Sequence, residues 1–235
     1  MTHTKTRLEG NSVFPKITAL ICTLNEADNI THVLSEMPPF VYEVVLVDGR
    51  SHDNTVEIAR RIFPGVRLFC QPRKGKDDAL MYGIEKAKGD IIVALDADGS
   101  TKPEEMPRFI APLLKGYDFA KGSRFLGSSP LNMPWHRKLA NRVFVVIANI
   151  LFGTKFTDLC SGYNAFWKSA FTRIRLEDCN WRYEPKIILR ALAADLKMVE
   201  VGHFDKGRIS GKSKLPDLRQ GLNVLKTILE ERFPG

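Results

Sequence analysis

The chain has 235 residues, 44% of them hydrophobic and 26% charged, with a formal net charge of +8. That length and balance suit a folded globular protein with a sizeable core and exclude a disordered chain. The cationic surplus points to an anionic partner: a nucleic acid, an acidic membrane surface or a phosphorylated small molecule. The first residues, 1–14, read as a polar tail of mixed charge rather than a signal peptide. A strand is expected at residues 17–22, followed by a polar segment, Thr23 to Glu26, opening a helix over 27–37. A buried strand at 44–47 ends in Asp48-Gly49, and Asp53 is expected to cap a helix running to Ile62. Residues 66–70 read as a third strand and 76–88 as a helix with Leu80, Ile84 and Ala87 on its apolar face. Then Ile-Ile-Val-Ala-Leu, residues 91–95, runs without a polar interruption into Asp96-Ala97-Asp98-Gly99. This alternation predicts an α/β fold with a doubly wound, mostly parallel sheet. The second half is less regular. A helix is expected over 103–114, a short strand over 119–121, a long helix over 137–151, a loop and strand over 158–167, a helix over 184–195 and a closing strand over 197–201.

Four cysteines, Cys22, Cys70, Cys160 and Cys179, form no C-x-x-C pair, which argues against zinc and for a reducing compartment. The most apolar stretch, residues 143–152, is shorter than the roughly 20 residues a bilayer span requires. The chain is therefore expected not to cross a membrane by itself and to be cytoplasmic.

The recurring feature is polarity at strand ends. Thr23 and Glu26 follow the first strand, Asp48 and Asp53 the second, Arg73, Lys74 and Lys76 the third, and Asp96 and Asp98 the fourth. In open α/β sheets ligands bind beyond the carboxyl ends of the strands, so this edge reads as the rim of a pocket. Strand alternation is expected to point Asp96 and Asp98 the same way. Two hard oxygen donors there suit Mg²⁺ or Mn²⁺ bound together with a diphosphate, the alternative being a solvated Asp-Gly turn.

In order along the chain stand CTLNEADNI (22–30), VDGRSHDNT (47–55), RKGK (73–76), DAD (96–98), GSR (122–124), DLCSGYNAF (158–166) and RISGKSK (208–214). This series resembles the family 2 glycosyltransferases of GT-A fold, and within them the dolichyl-phosphate (polyprenyl-phosphate) mannosyl- and glucosyltransferases. The resemblance implies a catalytic domain over 15–214 that moves a hexose, with inversion, from a nucleotide diphosphate sugar of the GDP-mannose or UDP-glucose type. It implies donor binding by Thr23, Glu26, Asp48, Lys76, Asp96, Ala97, Arg208 and Lys214. Asp96 and Asp98 would hold the metal, and Asp98, Arg124 and Asp158 would be catalytic. Arg124, Arg137 and Ser161 would face the acceptor, and the basic segment 206–214 would form a lid over the diphosphate.

The acceptor stays open at this point between a polyprenyl phosphate and a hydroxyl of a soluble metabolite or glycan. A hydroxyl needs a base, for which Asp158 is the candidate; a lipid phosphate is already ionised and needs none, and Asp158 would then orient a positive group or the sugar. Glu184 is either a first-turn acid or a sugar contact. Residues 215–235 are expected to form an amphipathic helix with Leu218, Leu222, Leu225 and Leu229 on its apolar side. That helix would dock on the protein's own core, on a second copy, or on the inner face of a membrane. A non-catalytic nucleotide- or phosphoryl-binding module is the competing class. A nucleic-acid binder is not expected, since the cations are scattered or confined to phosphate-sized loops without interleaved aromatics.

Overall fold

The computed structural model describes residues 14–127, 130–174, 183–211 and 217–233. The tail 1–13, Cys179 and Lys214 lie outside them. Strands β1 (Ile17–Thr23), β2 (Glu43–Asp48), β3 (Arg67–Cys70), β4 (Ile91–Asp96), β5 (Phe119–Ser123), β6 (Asn164–Trp167) and β7 (Met198–Gly202) form one sheet in the order β3-β2-β1-β4-β6-β5-β7. The first four are parallel. β6 runs antiparallel to both β4 and β5, and β7 pairs parallel with β5. The expected α/β class and mostly parallel sheet are therefore present.

Helices cover both faces. α1 (Ile30–Ser35), α2 (Thr55–Ile62) and α4 (Met106–Leu114) lie on one side, where Ile21, Leu46 and Val93 meet Ile30, Ala59 and Phe109. α3 (Lys76–Lys86), α5 (Trp135–Phe152), the short α6 (Lys168–Phe171), α7 (Tyr183–Ala193) and α8 (Asp217–Arg232) contribute to the other, where Leu20, Val45 and Ile92 meet Leu80, Val145, Ile187 and Val224. Ile21 and Leu20 are neighbours with opposite destinations, the period of 2 that a strand imposes. Each such fully buried aliphatic side chain contributes on the order of 2 kcal/mol. α3 presses close to the sheet at Gly83, where an added Cβ would stand 2.3 Å from a Leu20 methyl.

Two local expectations differ from the structure. α1 begins at Ile30 rather than at residue 27, because the Ala27 N–H is taken by Asp53 and the Asn29 and Ile30 N–H groups turn back onto the Glu26 carbonyl. Asp53 is not the cap of α2: Asn54 holds that position, and the Asp53 carboxylate instead joins Thr55 to Ala27. In α8 Val224, Thr227 and Ile228 are buried, packed towards α5 and α7, while Leu222 and Leu229 of the expected apolar side are exposed. The Leu218 side chain lies outside the described residues.

Candidate active site

Register aligns the rim. Thr23 pairs with Asp48 across β1 and β2, and Cys22 pairs with Asp96 across β1 and β4, so the ends of these strands stand level. Asp48 is buried and accepts the Ser51 N–H at 2.9 Å and the Ser51 hydroxyl at 2.6 Å, a tight turn that fixes its carboxylate. Beside it the buried Thr23 hydroxyl has no hydrogen-bond partner. A buried orphan hydroxyl carries a desolvation penalty of about 1–3 kcal/mol that a polar ligand relieves.

At the tip of β4, Lys76 Nζ donates to Asp96 Oδ1 and to Glu184 Oε1, both at 2.7 Å. Burial alone would push this ammonium down, but the two carboxylates hold it charged and well above its ordinary value. Burial opposes ionisation of Asp96 as well, yet Lys76 brings it below the usual range. Asp98 moves the other way, raised by burial and by the charge of Asp96. Asp98 does not owe its position to strand alternation. β4 ends at Asp96, and Asp98 stands in the following turn, where its carboxylate accepts the Ser100 N–H at 3.0 Å. The intervening Ala97 points into the hydrophobic core, so any donor contact from it is made by backbone.

Two coupled carboxylates whose repulsion lifts one of them are a donor set that a divalent cation relieves. Among the described residues no third His, Cys, Asp or Glu completes a metal cluster. That fits an ion which keeps waters and takes its other ligands from substrate phosphates, the habit of Mg²⁺ and Mn²⁺. Gly162 brings loop backbone against this corner, since a Cβ there would stand 2.4 Å from Asp96 Oδ2.

The other half of the site is built around Arg124, just past β5. Its Nε and Nη2 donate to the two oxygens of Asp158 at 2.7 and 2.9 Å, a paired charge-assisted contact. Asp158 is fully buried and also accepts N–H groups from Arg124 and Cys160. Although burial pushes its carboxyl up, Arg124 holds it down to about 2. A carboxylate that resists protonation so strongly, with its lone pairs engaged, is a poor proton acceptor. Of the two roles expected for Asp158, base or partner of a positive group, the contact with Arg124 matches the second. Behind it Glu200 accepts the Lys121 ammonium at 3.0 Å, the Thr157 N–H and hydroxyl at 2.9 Å, and the Asp158 N–H at 3.2 Å. Asn141 from α5 bonds Leu159 N and Thr157 O on the same loop.

Ser161, expected at the acceptor, is buried. Its hydroxyl is buried 2.9 Å from His203 Nε2, and burial lowers that imidazole to about 4, so it is neutral. Arg137 stands in the first turn of α5, half-buried.

The basic segment lies across the tip of β4. Lys206 N donates to Ser100 O and Ile209 N to Asp98 O, both at 3.1 Å. Arg208 grips both oxygens of Glu26 at 2.6 and 2.9 Å, and its Nη2 comes within 3.7 Å of Asp98. Asn29 bonds the Ser210 backbone on both its N–H and carbonyl sides. Both oxygens of Glu26, expected at the donor, are engaged by Arg208 of this segment.

Two carboxylates escaped the sequence reading. Glu200 is an acid inside an otherwise apolar strand, a signal that was legible. Asp205, at the root of the lid, is raised by burial, with Asp98 and Asp96 adding to the effect, and accepts the Gly207 N–H at 2.7 Å.

Residues 18–175 match the model of glycosyl transferase family 2. The chain belongs to that family. Over 211 residues it is 30% identical to a dolichol-phosphate mannosyltransferase of Pyrococcus furiosus, covering 85% of this chain and 59% of that one. Over 181 residues it is 28% identical to glycosyltransferase AglJ of Haloferax volcanii, covering 76% and 59%. The chain therefore spans 59% of the length of each of these relatives. Its backbone is similar to glucosyl-3-phosphoglycerate synthase of Mycobacterium tuberculosis, solved with Mn²⁺, UDP-glucose and phosphoglyceric acid (TM-score 0.76, 20% identity, 93% of this chain and 80% of that one). The same enzyme solved with Mg²⁺ and UDP matches equally, with a TM-score of 0.76, 20% identity and the same coverage. At that identity the likeness is one of fold, and the fold is GT-A.

Proposed function

We propose that this glycosyltransferase moves a hexose, with inversion, from a nucleotide diphosphate sugar to a polyprenyl phosphate. Asp48 and the orphan Thr23 hydroxyl receive the nucleoside, and Asp96 and Asp98 hold Mg²⁺ or Mn²⁺. The bound ion supplies positive charge to the departing diphosphate. Arg208, Lys76 and the lid segment, extending to Lys214, surround the phosphates, and Arg124 and Arg137 turn to the acceptor. The mannosyltransferase relative and the structural neighbours solved with Mn²⁺ or Mg²⁺ support this reading.

One observation carries the choice of acceptor. The Asp158 carboxylate is engaged by Arg124 and held ionised by it, so it serves a cationic acceptor subsite better than it serves as a base. A phosphate monoester arrives ionised and attacks without a base. The site then acts on a lipid at the inner face of the membrane.

Asp205 favours a second reading. Burial raises its carboxyl above the ordinary carboxylate value, and it stands beside Arg124, Asp98 and Asp96, so it is the candidate to deprotonate the hydroxyl of a soluble acceptor. The test is transfer from radiolabelled GDP-mannose and UDP-glucose, with Mn²⁺, to a polyprenyl phosphate or to phosphoglyceric acid. Label in the organic phase supports the first reading; label only in the aqueous acceptor replaces it with the second.

A further inference from the structure

Asp96 is hemmed in on both of its oxygens. Lys76 Nζ stands 2.7 Å from Oδ1, and the Gly162 backbone lies so close to Oδ2 that a Cβ there would be 2.4 Å away. A divalent ion that takes Asp96 as a ligand therefore contends with the Lys76 ammonium for this carboxylate. Two cations crowded on one carboxylate repel each other. For both to stay, the ammonium needs a second seat.

Glu184 supplies it. Its Oε1 accepts from the same Nζ at 2.7 Å, and its side chain is only 16% exposed. The three groups come from three elements: Lys76 from the first turn of α3, Asp96 from the tip of β4 and Glu184 from the first turn of α7. The helices are anchored in the core, α3 by Ala79, Leu80 and Ile84 and α7 by Ile187, Ile188 and Leu189. The two carboxylates are thus fixed in place. What can swing between them is the ammonium, a point charge on a flexible four-carbon stem. An acid set in a first turn for the helix dipole alone gains from the N–H groups of its own turn. Glu184 instead meets a cation 108 residues away in the chain, at the donor rim.

We infer that Glu184 is a positioning residue of the donor site, which retains the Lys76 ammonium when Asp96 turns to a divalent ion. Lys76 then stays next to the diphosphate, and the Asp96 oxygen that it covered becomes available. Without the Glu184 carboxylate, the ammonium closes on Asp96 and shuts the ion out. Holding by two acids leaves Lys76 able to serve a phosphate as well, since an ammonium has three N–H groups and these contacts engage two. The inference rests on the reading of Asp96 and Asp98 as the metal-holding pair, and it adds to that pair the group that frees it.

The test is titration of the full chain with Mn²⁺ alone, followed by loss of the free-ion electron paramagnetic resonance signal, with thermal midpoints measured alongside. Glu184→Gln is expected to weaken Mn²⁺ binding roughly tenfold or more, and Glu184→Asp, which keeps the charge, to recover most of that loss. Lys76→Met removes the competing ammonium and should tighten binding severalfold. In the Lys76→Met background, Glu184→Gln should change the affinity less than about twofold, because no ammonium is left to hold. An ion pair with a structural role alone would lower the thermal midpoints and leave Mn²⁺ affinity unmoved. Equal affinity in wild type and Glu184→Gln would overturn the inference. So would an undiminished loss in the Lys76→Met background, which would put Glu184 on the ion itself. Weaker Mn²⁺ binding by Lys76→Met would overturn it too, whether or not Glu184→Gln folds. Asp98→Asn separates these failures from that of the metal reading. Mn²⁺ binding that is indifferent to Asp98→Asn, or absent in wild type, would remove the metal-holding pair and the inference with it.

Discussion

The proposed donor and acceptor halves of the site are held by different means. On the donor side the key acids are fixed by their own loops: Asp48 by Ser51, three residues on, and Asp98 by Ser100, two residues on. On the acceptor side Arg124 is fixed from 34 residues away by Asp158, and the Asp158 loop from more than 40 away by Glu200. The lid is latched to Glu26 across 182 residues. Local turns make the donor rim robust to changes elsewhere. The acceptor side depends on the folded sheet, with β6 running antiparallel between β4 and β5.

The largest expected effect lies at the donor rim. Asp98→Asn should lower transfer by roughly a thousandfold or more, because several kcal/mol of charge stabilisation at tenfold per 1.4 kcal/mol disappear with the metal. Its thermal midpoint should stay close to wild type, since Asp98 is raised rather than stabilised in the fold. Near-normal turnover would break the assignment of this corner.

Asp158→Asn should cut both activity and stability, the latter by roughly 3–5 kcal/mol, as when one partner of a buried ion pair is removed. The sign of its pH dependence follows from the carboxyl standing at about 2 in the folded chain against an ordinary 3.8. A depressed carboxylate stabilises the fold above the higher value, and that contribution, about 2 kcal/mol, fades as pH falls from about 4 towards 2. Denaturant titrations across that window should show the slope in wild type and not in the variant. Equal slopes would mean that the pair does not hold the acceptor side.

The smallest effect is expected at the latch. Glu26→Gln loses the ionic part of the Arg208 contact, and amide exchange over 206–211 should quicken a few-fold, with a modest rise in donor KM. Exchange identical to wild type would show that Asn29 alone keeps the lid down.

The same contrast explains what the sequence made legible. The alternating strands and the acids at their ends are local patterns, so the α/β class and the rim could be read directly. For Asp158 two roles stood open, base or partner of a positive group, and nothing near it in sequence announces that Arg124 is that partner. Nor does the sequence announce that the fold sets His203 beside Ser161. In α8 the leucine spacing was genuine, but an amphipathic pattern does not say which of two apolar sides packs. Val224 and Ile228 took the core, leaving Leu222 and Leu229 outside. Asp205 had only its neighbourhood to mark it, and that neighbourhood is tertiary.

The most direct test compares kcat/KM for transfer to a polyprenyl phosphate in wild type and Asp205→Asn, the asparagine keeping an acceptor for the Gly207 N–H. With an acceptor that attacks already ionised, the two should agree within about threefold across neutral pH. A loss of two orders of magnitude or more, the usual worth of a general base, would contradict it.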